Sequence, residues 1–146
     1  EQRLSDDADD AGRYLAMVDV DNFKKVNDQF GHDSGDVVLK RIAANIKTSM
    51  AEFVYARLGG EEFVVYLWGL DQQDAEARVA ALCKAVRETP GEHPVTISIG
   101  LTRISGQDNL SNALAKADAA LYDAKHEGKD RYVLWSPARA DIDKHD

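Results

Sequence analysis

The chain has 146 residues, which is enough for one domain with a hydrophobic core. Its 26 acidic and 18 basic residues give a formal net charge of −8, which argues against nonspecific binding to nucleic acid or to an anionic membrane surface. No segment approaches the roughly 20 apolar residues of a membrane span, and the N-terminus has no signal-peptide pattern. We therefore expect a soluble intracellular domain in which the single cysteine, Cys83, is a small core residue.

Hydrophobic periodicity predicts helices that alternate with strands, with one hairpin near the middle of the chain. This alternation indicates a mixed sheet covered by helices, in the α/β or α+β class. Two helices carry apolar stripes that we expect to face the core, one beginning at Val37 and the other at Leu110. The predicted strands are 14–20, 53–58, 63–68, 95–103 and 131–135, and the predicted helices are 22–30, 33–50, 71–88 and 110–126.

Two carboxylates follow the first predicted strand. Strand 14–20 is almost continuously apolar, which predicts an interior position, and it leads into Asp19 and Asp21. Carboxylates at the end of a buried strand are costly to desolvate unless they are paired or bind a cation. Capping of the helix that starts near Asn22 would account for one of the two, but not for both.

A second acidic pair follows two glycines between strand-like segments. A turn formed by Gly59 and Gly60 suits a tight hairpin, because glycine adopts positive φ without steric cost. Such a turn would bring Glu61 and Glu62 to a sheet edge, where the bare backbone allows close approach of a bulky ligand. The pattern fits either a metal or phosphate site or a plain hairpin with two solvated glutamates.

Several motifs in fixed order carry a family resemblance. Residues 19–36 read DVDNFKKVNDQFGHDSGD and residues 57–63 read RLGGEEF, which resembles the GGDEF family of diguanylate cyclases in its GGEEF variant. Residues 96–100 and 117–125 resemble a later strand and helix of that family. The resemblance implies a palm-like nucleotidyl cyclase fold with a βααββαβ core. We expect the catalytic domain at 14–136, the remnant of a helix or linker at 1–13, and a loose charged tail at 137–146.

The resemblance also implies the reaction. Family members condense two GTP into cyclic di-GMP and release two pyrophosphates, with two Mg²⁺ ions, or Mn²⁺ in their place, at each active site. Asp19, the backbone carbonyl of Val20 and Glu61 match the metal-binding positions, and Glu61 also matches the proton acceptor. Glu62 is a weaker candidate for a catalytic or metal-supporting role. Because one domain presents one GTP, the two-bond product implies a homodimer.

The phosphates of GTP would meet the start of the first helix and three lysines. The backbone N–H groups at Asn22 and Phe23 lie at the positive end of the helix dipole. By the resemblance, Lys24 stabilises transition-state charge, Lys125 binds the terminal phosphates, and Lys129 stands where the family usually has arginine. Each lysine could instead be an ordinary solvated surface charge.

Guanine recognition needs an acceptor for the ring N–H and amino group and a donor for the carbonyl oxygen. Asn27 and Asp36 match the family's guanine-reading pair, and His32 lies in its nucleotide-contacting stretch. Gly59 and Gly60 would admit the nucleotide to the backbone. The alternative is that Asn27 is a helix-terminal residue and that Asp36 is merely exposed near a helix N-terminus.

The chain departs from the family pattern at three places. Many members carry an inhibitory Arg-x-x-Asp motif where this chain has Met50 and Phe53, so that product-inhibition site is predicted to be missing. Lys129 and Asp130 replace the usual Arg-Asn, and lysine loses the bidentate fork of arginine. The N-terminal Asp-x-Leu-Thr-Gly-Leu segment is absent as well.

These departures leave several expectations open. We expect the sequence to be a piece of a longer bacterial protein with a sensor or regulatory domain, acting in the cytoplasm. A membrane anchor elsewhere in that longer protein is left open. The domain itself is expected to bind neither nucleic acid nor membrane. The alternative to an active cyclase is a non-catalytic, GTP-binding regulatory or interaction module of the same family. Other two-metal nucleotidyl cyclases form a more distant third possibility.

Overall fold

A computed structural model describes residues 12–138. Most of the predicted N-terminal remnant at 1–13 lies outside the described residues, but Gly12 and Arg13 belong to the first strand. Of the predicted tail at 137–146, only Pro137 and Ala138 are described. No helix within residues 12–138 is long and apolar enough to cross a membrane.

The elements follow the predicted order closely. Each predicted strand and helix is present, and the bounds differ by three residues or fewer. The elements are β1 (Gly12–Val20), α1 (Phe23–Phe30), α2 (His32–Ser49), β2 (Val54–Gly59), β3 (Glu62–Leu70), α3 (Gln72–Glu88), β4 (Ile97–Ile104), α4 (Leu110–His126) and β5 (Arg131–Leu134).

The five strands form one mixed sheet in the order β2-β3-β1-β4-β5. The pairs β2–β3, β3–β1 and β1–β4 are antiparallel, whereas β4 and β5 are parallel. The predicted mixed sheet and the βααββαβ core are therefore confirmed. Strand β1 lies at the centre, and its register places Asp19 between Glu62 of β3 and Ser98 of β4.

Side chains of β1 alternate between two hydrophobic layers. Tyr14 and Val18 belong to the larger layer, which also contains the apolar faces of α1, α2 and α3. Leu15 and Met17 pack against α4 on the opposite face of the sheet. Helix α4 lies very close to β4, because a Cβ at Gly100 would overlap the backbone of α4. This close packing brings the C-terminal end of α4 to the end of β1.

The predicted core residues are correct except at the start of each stripe. Cys83 is buried as expected, and its burial raises the pKa of the thiol to about 12. Val37 is 55% exposed and Leu110 is 68% exposed, so both expectations of burial were wrong. Leu110 is the first residue of α4, and Val37 lies on the exposed side of α2 although its neighbour Val38 is fully buried.

The segment that carries the inhibitory motif in many family members is part of the core here. Met50 is fully buried and Phe53 is 7% exposed. The Phe53 ring packs edge-on against Trp68 with a centroid distance of 5.1 Å, and the Arg78 guanidinium lies 5.0 Å from the Phe53 centroid. These two side chains are therefore occupied with internal packing.

The hairpin turn differs from the prediction by one residue. Gly59 pairs with Glu62 after a register shift at the end of β2, so the turn residues are Gly60 and Glu61 and not the two glycines. Gly59 and Gly60 both have positive φ, 153° and 49°, which explains why glycine is needed at both positions. The Arg57 guanidinium donates to the carbonyl of Gly60 over 3.0 Å and fixes the turn.

Candidate active site

Asp19 lies at the end of β1 with one carboxylate oxygen satisfied and one not. Its Oδ2 is 3.1 Å from Lys125 Nζ, whereas its Oδ1 is buried without a hydrogen-bond partner among the described residues. Burial raises the pKa of Asp19 to about 6; Lys125 opposes the shift, and the charges of Glu61 and Glu62 add to it. A buried, unpartnered carboxylate oxygen beside further acids fits a divalent cation.

The other predicted metal ligands meet Asp19 at the hairpin. The Val20 N–H donates to the backbone carbonyl of Glu61 over 3.3 Å, which ties the end of β1 to the turn. Within residues 12–138, no cluster of three or more His, Cys, Asp or Glu side chains could hold a metal alone. Mg²⁺ is often bound by one or two carboxylates together with substrate phosphates. The donor set of Asp19, Glu61 and the Val20 carbonyl suits that mode of binding.

Asp21 is in a different environment from Asp19, although only one residue separates them. Its side chain is completely buried and accepts four hydrogen bonds. Ser98 Oγ and Lys125 Nζ donate to Oδ1 over 2.6 and 3.2 Å. Thr96 Oγ1 and the Asp130 backbone N–H donate to Oδ2 over 2.7 and 3.0 Å. Asp21 therefore does not cap α1; Asn22 occupies the N-cap position and makes no side-chain capping bond.

The loop after α4 holds Lys129 in a strained backbone conformation. Lys129 and Asp130 have φ of 65° and 51°, and successive left-handed residues cost roughly 1–2 kcal/mol each. The loop is fixed by the bond from the Asp130 N–H to Asp21 and by the 2.8 Å ion pair between Arg87 and Asp130. Lys129 Nζ donates to Asn22 Oδ1 over 2.8 Å. Lys125 and Lys129 thus both lie near the start of α1.

The remaining residues predicted to contact phosphate are less closely assembled. Phe23 is 8% exposed and its side chain belongs to the core, which leaves its backbone N–H as the available contact. Lys24 is exposed and forms an i,i+4 ion pair of 2.9 Å with Asp28. The structure therefore brings Lys125 and Lys129 to the end of β1 but leaves Lys24 on the outer surface of α1.

The predicted guanine-reading residues lie on and between α1 and α2. Asn27 Oδ1 is buried without a hydrogen-bond partner among the described residues, and it fills the space that a Cβ on Gly35 would occupy. Asp36 is exposed and lines a cavity of about 320 Å³ that reaches Arg57 and Phe63 of the hairpin. His32 is exposed at the start of α2.

A larger cavity of about 790 Å³ lies on the other flank of α1, against the segment before β4. It shares Asn22 with the predicted site and is also lined by Asp21, but it contains neither Asp19 nor Asp36. We assign the site by its chemistry and not by cavity size, because the predicted metal carboxylates and the unpartnered oxygens of Asp19 and Asn27 lie elsewhere.

Two residues of the site were missed by sequence reasoning. Asp21 was noted as a carboxylate at the strand end, but its partners Thr96 and Ser98 are 75 and 77 positions away. Gly35 lies inside a helix without positive φ, where glycine is normally unfavourable. That unfavourable position was the available signal for a close approach by another side chain.

Comparison with known proteins identifies the family. The family model described as "Diguanylate cyclase, GGDEF domain" matches residues 1–131. The chain is 40% identical over 124 residues to diguanylate cyclase DgcP of Pseudomonas aeruginosa, covering 80% of this chain and 18% of that protein. It is 33% identical over 128 residues to diguanylate cyclase DgcZ of Escherichia coli, covering 83% of this chain and 43% of that protein. The chain thus spans less than half the length of these relatives.

Solved structures agree with this result. The active GGEEF domain of a diguanylate cyclase from Vibrio cholerae matches with a TM-score of 0.78 at 29% identity, covering 85% of this chain and 83% of that one. The GGDEF domain of DgcB from Caulobacter crescentus, in complex with c-di-GMP, matches with a TM-score of 0.81 at 26% identity, covering 90% and 84%. The chain belongs to the GGDEF domain family of diguanylate cyclases, which are enzyme domains.

Proposed function

We propose that this domain condenses two GTP into cyclic di-GMP and releases two pyrophosphates. The observation that carries the proposal is Asp19, whose buried Oδ1 has no partner among the described residues and which lies beside the turn that presents Glu61. Family membership supplies the reaction class. The arrangement of Asp19, Glu61, Lys125 and Lys129 at one edge of the sheet supports the same chemistry.

The family is metal-dependent, and Mg²⁺ is the ion we propose, with Mn²⁺ as an alternative. Asp19, the Val20 carbonyl and Glu61 would hold two ions in each active site. When bound, such ions lower the pKa of the attacking hydroxyl and neutralise charge on the leaving pyrophosphate. Glu62 lies next to Glu61 and pairs in register with Asp19, so we assign it a supporting role.

The protein's own groups would bind and orient the triphosphate and move one proton. Glu61 accepts the proton of the GTP 3′-hydroxyl while the oxygen of that hydroxyl attacks the α-phosphate of the other GTP. Lys125 and Lys129 bind the terminal phosphates, aided by backbone N–H groups at Asn22 and Phe23. Lys24 must leave its surface pair with Asp28 to reach the reacting phosphate.

Guanine would be held in the groove between α1 and α2. Asn27 and Asp36 provide the amide and the carboxylate that the guanine edge requires, with His32 and the exposed glycines at the rim of the site. The unpartnered Asn27 Oδ1 supports this role, because a buried amide oxygen usually finds a donor. A guanine N–H would supply one.

Catalysis would take place across a homodimer. One domain presents one GTP and one set of carboxylates, whereas the product contains two phosphodiester bonds. Each protomer would therefore supply the nucleotide that attacks the α-phosphate held by its partner. We further propose that the domain works in the cytoplasm as part of a longer protein with a regulatory domain, since it matches only 18% and 43% of the lengths of two diguanylate cyclase relatives.

The direct test is to incubate the protein with GTP and Mg²⁺ at several protein concentrations and to quantify cyclic di-GMP and pyrophosphate. We expect both products in a 1:2 ratio, with a rate per protomer that rises as the dimer forms. GTP binding without either product would favour the alternative, a non-catalytic regulatory or interaction module. Absence of GTP binding would exclude both.

A further inference from the structure

Asp21 joins four parts of the molecule that the proposed reaction needs to hold together. It follows β1, and its carboxylate accepts from two hydroxyls at the start of β4, from Lys125 of α4 and from the loop before β5. We propose that Asp21 is a positioning residue, which fixes the loop at 125–130 and so sets triphosphate affinity, and that it is not a metal ligand. This inference rests on the proposed function.

The hydrogen-bond capacity of Asp21 is fully used. An ionised carboxylate has about four lone-pair sites, and Asp21 meets four donors at 2.6–3.2 Å. A cation would have to displace one of these four donors, Thr96, Ser98, Lys125 or the Asp130 N–H, from a side chain with no exposed surface. Asp19, by contrast, keeps one buried oxygen without a partner among the described residues.

The two halves of the Asp21 network differ in rigidity. Thr96 and Ser98 lie at the start of β4, which is hydrogen-bonded to strands on both sides, and the Asp21 N–H itself donates to the Thr96 carbonyl over 2.9 Å. This half is fixed by the sheet. The other half of the network consists of Lys125, on the last turn of α4, and the Asp130 N–H, on the loop that follows. Asp21 therefore ties the loop to the sheet.

Without Asp21 the loop would lose its link to the sheet, although the Lys129 N–H would still donate to the Ala124 carbonyl of α4 over 3.0 Å. Lys129 and Asp130 have φ of 65° and 51°, a conformation that persists only when surrounding contacts fix it. The ion pair of Arg87 with Asp130 would remain, but it involves a partly exposed arginine side chain. Lys129, which reaches Asn22 from this loop, would then no longer be held near the start of α1.

The test compares two ligands that differ in their phosphates. Affinities are measured by calorimetry for α,β-methylene GTP, whose α–β bridge the reaction cannot break, and for GMP, which lacks the terminal phosphates. In Asp21→Asn the amide oxygen should face Lys125, because an NH2 group there would meet the ammonium, so the nitrogen takes the other position and cannot accept from the Asp130 N–H. We expect about tenfold weaker binding of the triphosphate, and less than about twofold change for GMP. Asp74→Asn, the same change at an exposed acid in the first turn of α3, should alter neither affinity.

Two further measurements separate positioning from other roles. Hydrogen exchange of the Asp130 amide should accelerate in Asp21→Asn, while Mn²⁺ affinity in the presence of GMP, measured by electron paramagnetic resonance, should stay within about twofold of the unsubstituted protein. Asp19→Asn should lose that Mn²⁺ binding. Equal weakening of GMP and triphosphate would overturn the proposal in favour of a general structural role. Loss of Mn²⁺ as in Asp19→Asn would make Asp21 a metal ligand.

If Asp21→Asn does not fold, Thr96→Val carries the test, because it removes one donor to Asp21 and keeps the shape of the side chain. We then expect triphosphate binding to weaken about threefold with GMP unchanged, and an unchanged ratio of the two affinities would refute the inference. Failure of the unsubstituted protein to bind either nucleotide would instead count against the proposed function.

Discussion

The phosphate side and the guanine side of the candidate site are organised in different ways. On the phosphate side, Lys125 and the loop at 128–130 form a network around the buried Asp21, whose carboxylate has four partners, although Asp130 Oδ1 has none among the described residues. On the guanine side, Asp36 is exposed and the Asn27 amide oxygen has no partner within residues 12–138. The phosphate side is thus built by the protein itself, while the guanine side depends on the ligand for its hydrogen bonds.

This difference separates two tasks of the site, which are the binding of charged phosphates and the recognition of the base. Burying a charged group costs free energy unless that group is paired. The charged residues of the phosphate side therefore need partners within the protein before any ligand binds. A base-reading amide needs only a fixed position, which close contact with Gly35 provides for Asn27. Changes on the two sides should consequently have different signatures.

The largest effect is expected for Asp19→Asn. Removing this carboxylate should lower turnover about a thousandfold, or about 4 kcal/mol, because the charge that holds the cation is lost. Folding should not suffer, since the ionised form of Asp19 is disfavoured by burial. Cyclic di-GMP formation and thermal unfolding are the two measurements. A variant that retains turnover would remove Asp19 from the site.

A change on the guanine side should discriminate between bases. Asp36→Ala should weaken GTP binding by about thirtyfold and leave ATP within about threefold, because ATP cannot use the lost acceptor. Competition binding with both nucleotides gives the ratio. Asp33→Ala, at another acid in the first turn of α2, serves as the control. Equal losses for both nucleotides would show that Asp36 has a structural role.

Acid should weaken metal binding through protonation of Asp19. The pKa of Asp19 is raised to about 6 by burial, so Mn²⁺ affinity should be constant above about pH 7 and fall about tenfold per unit below pH 6. The free energy of unfolding changes with pH in the opposite direction to the Mn²⁺ affinity. Between pH 3.8, the ordinary pKa of an aspartate, and pH 6, the native state keeps the Asp19 proton that the unfolded chain has lost. The ionised group therefore destabilises the fold above pH 6.

Asp19→Asn checks that sign. Its gain in unfolding free energy over the unsubstituted protein should be present at pH 7.5 and shrink as the pH falls through 6 towards 3.8. Urea unfolding at pH 7.5 and pH 5 measures the two gains. A gain that increases in acid would mean that Asp19 has an ordinary or lowered pKa.

The smallest effect is expected for Gly35→Ala. The new methyl group would displace the Asn27 amide, and we expect about fivefold weaker binding of GMP with little change in stability, because Asn27 can rotate away. Gly106→Ala is the matched control, since a Cβ there meets nothing within 4 Å. Unchanged GMP affinity in Gly35→Ala would show that the position of Asn27 does not matter for guanine.

The order of the elements, the mixed sheet and the family were all predictable from the amino-acid sequence. Periodicity of 2 and 3.6 residues is a local property, so β1, the hairpin and the helices were predictable from short segments. The helical stripe was misread at two residues, because Val37 lies on the exposed side of α2 and Leu110 lies at the exposed first position of α4. The motifs likewise indicated Asp19, Glu61, Asn27 and Asp36 as candidates.

Only the tertiary structure decided which carboxylate is free to bind a ligand. The family resemblance matched Asp19 to a metal position, but the local pattern does not show how Asp21 is used, because its donors come from Thr96, Lys125 and Asp130, at separations of 75, 104 and 109 positions. Those contacts depend on the register of β1 with β4 and on the close approach of α4 to Gly100. Local sequence patterns do not encode such distances, because partners far apart in the chain meet only when the sheet and its covering helices have packed.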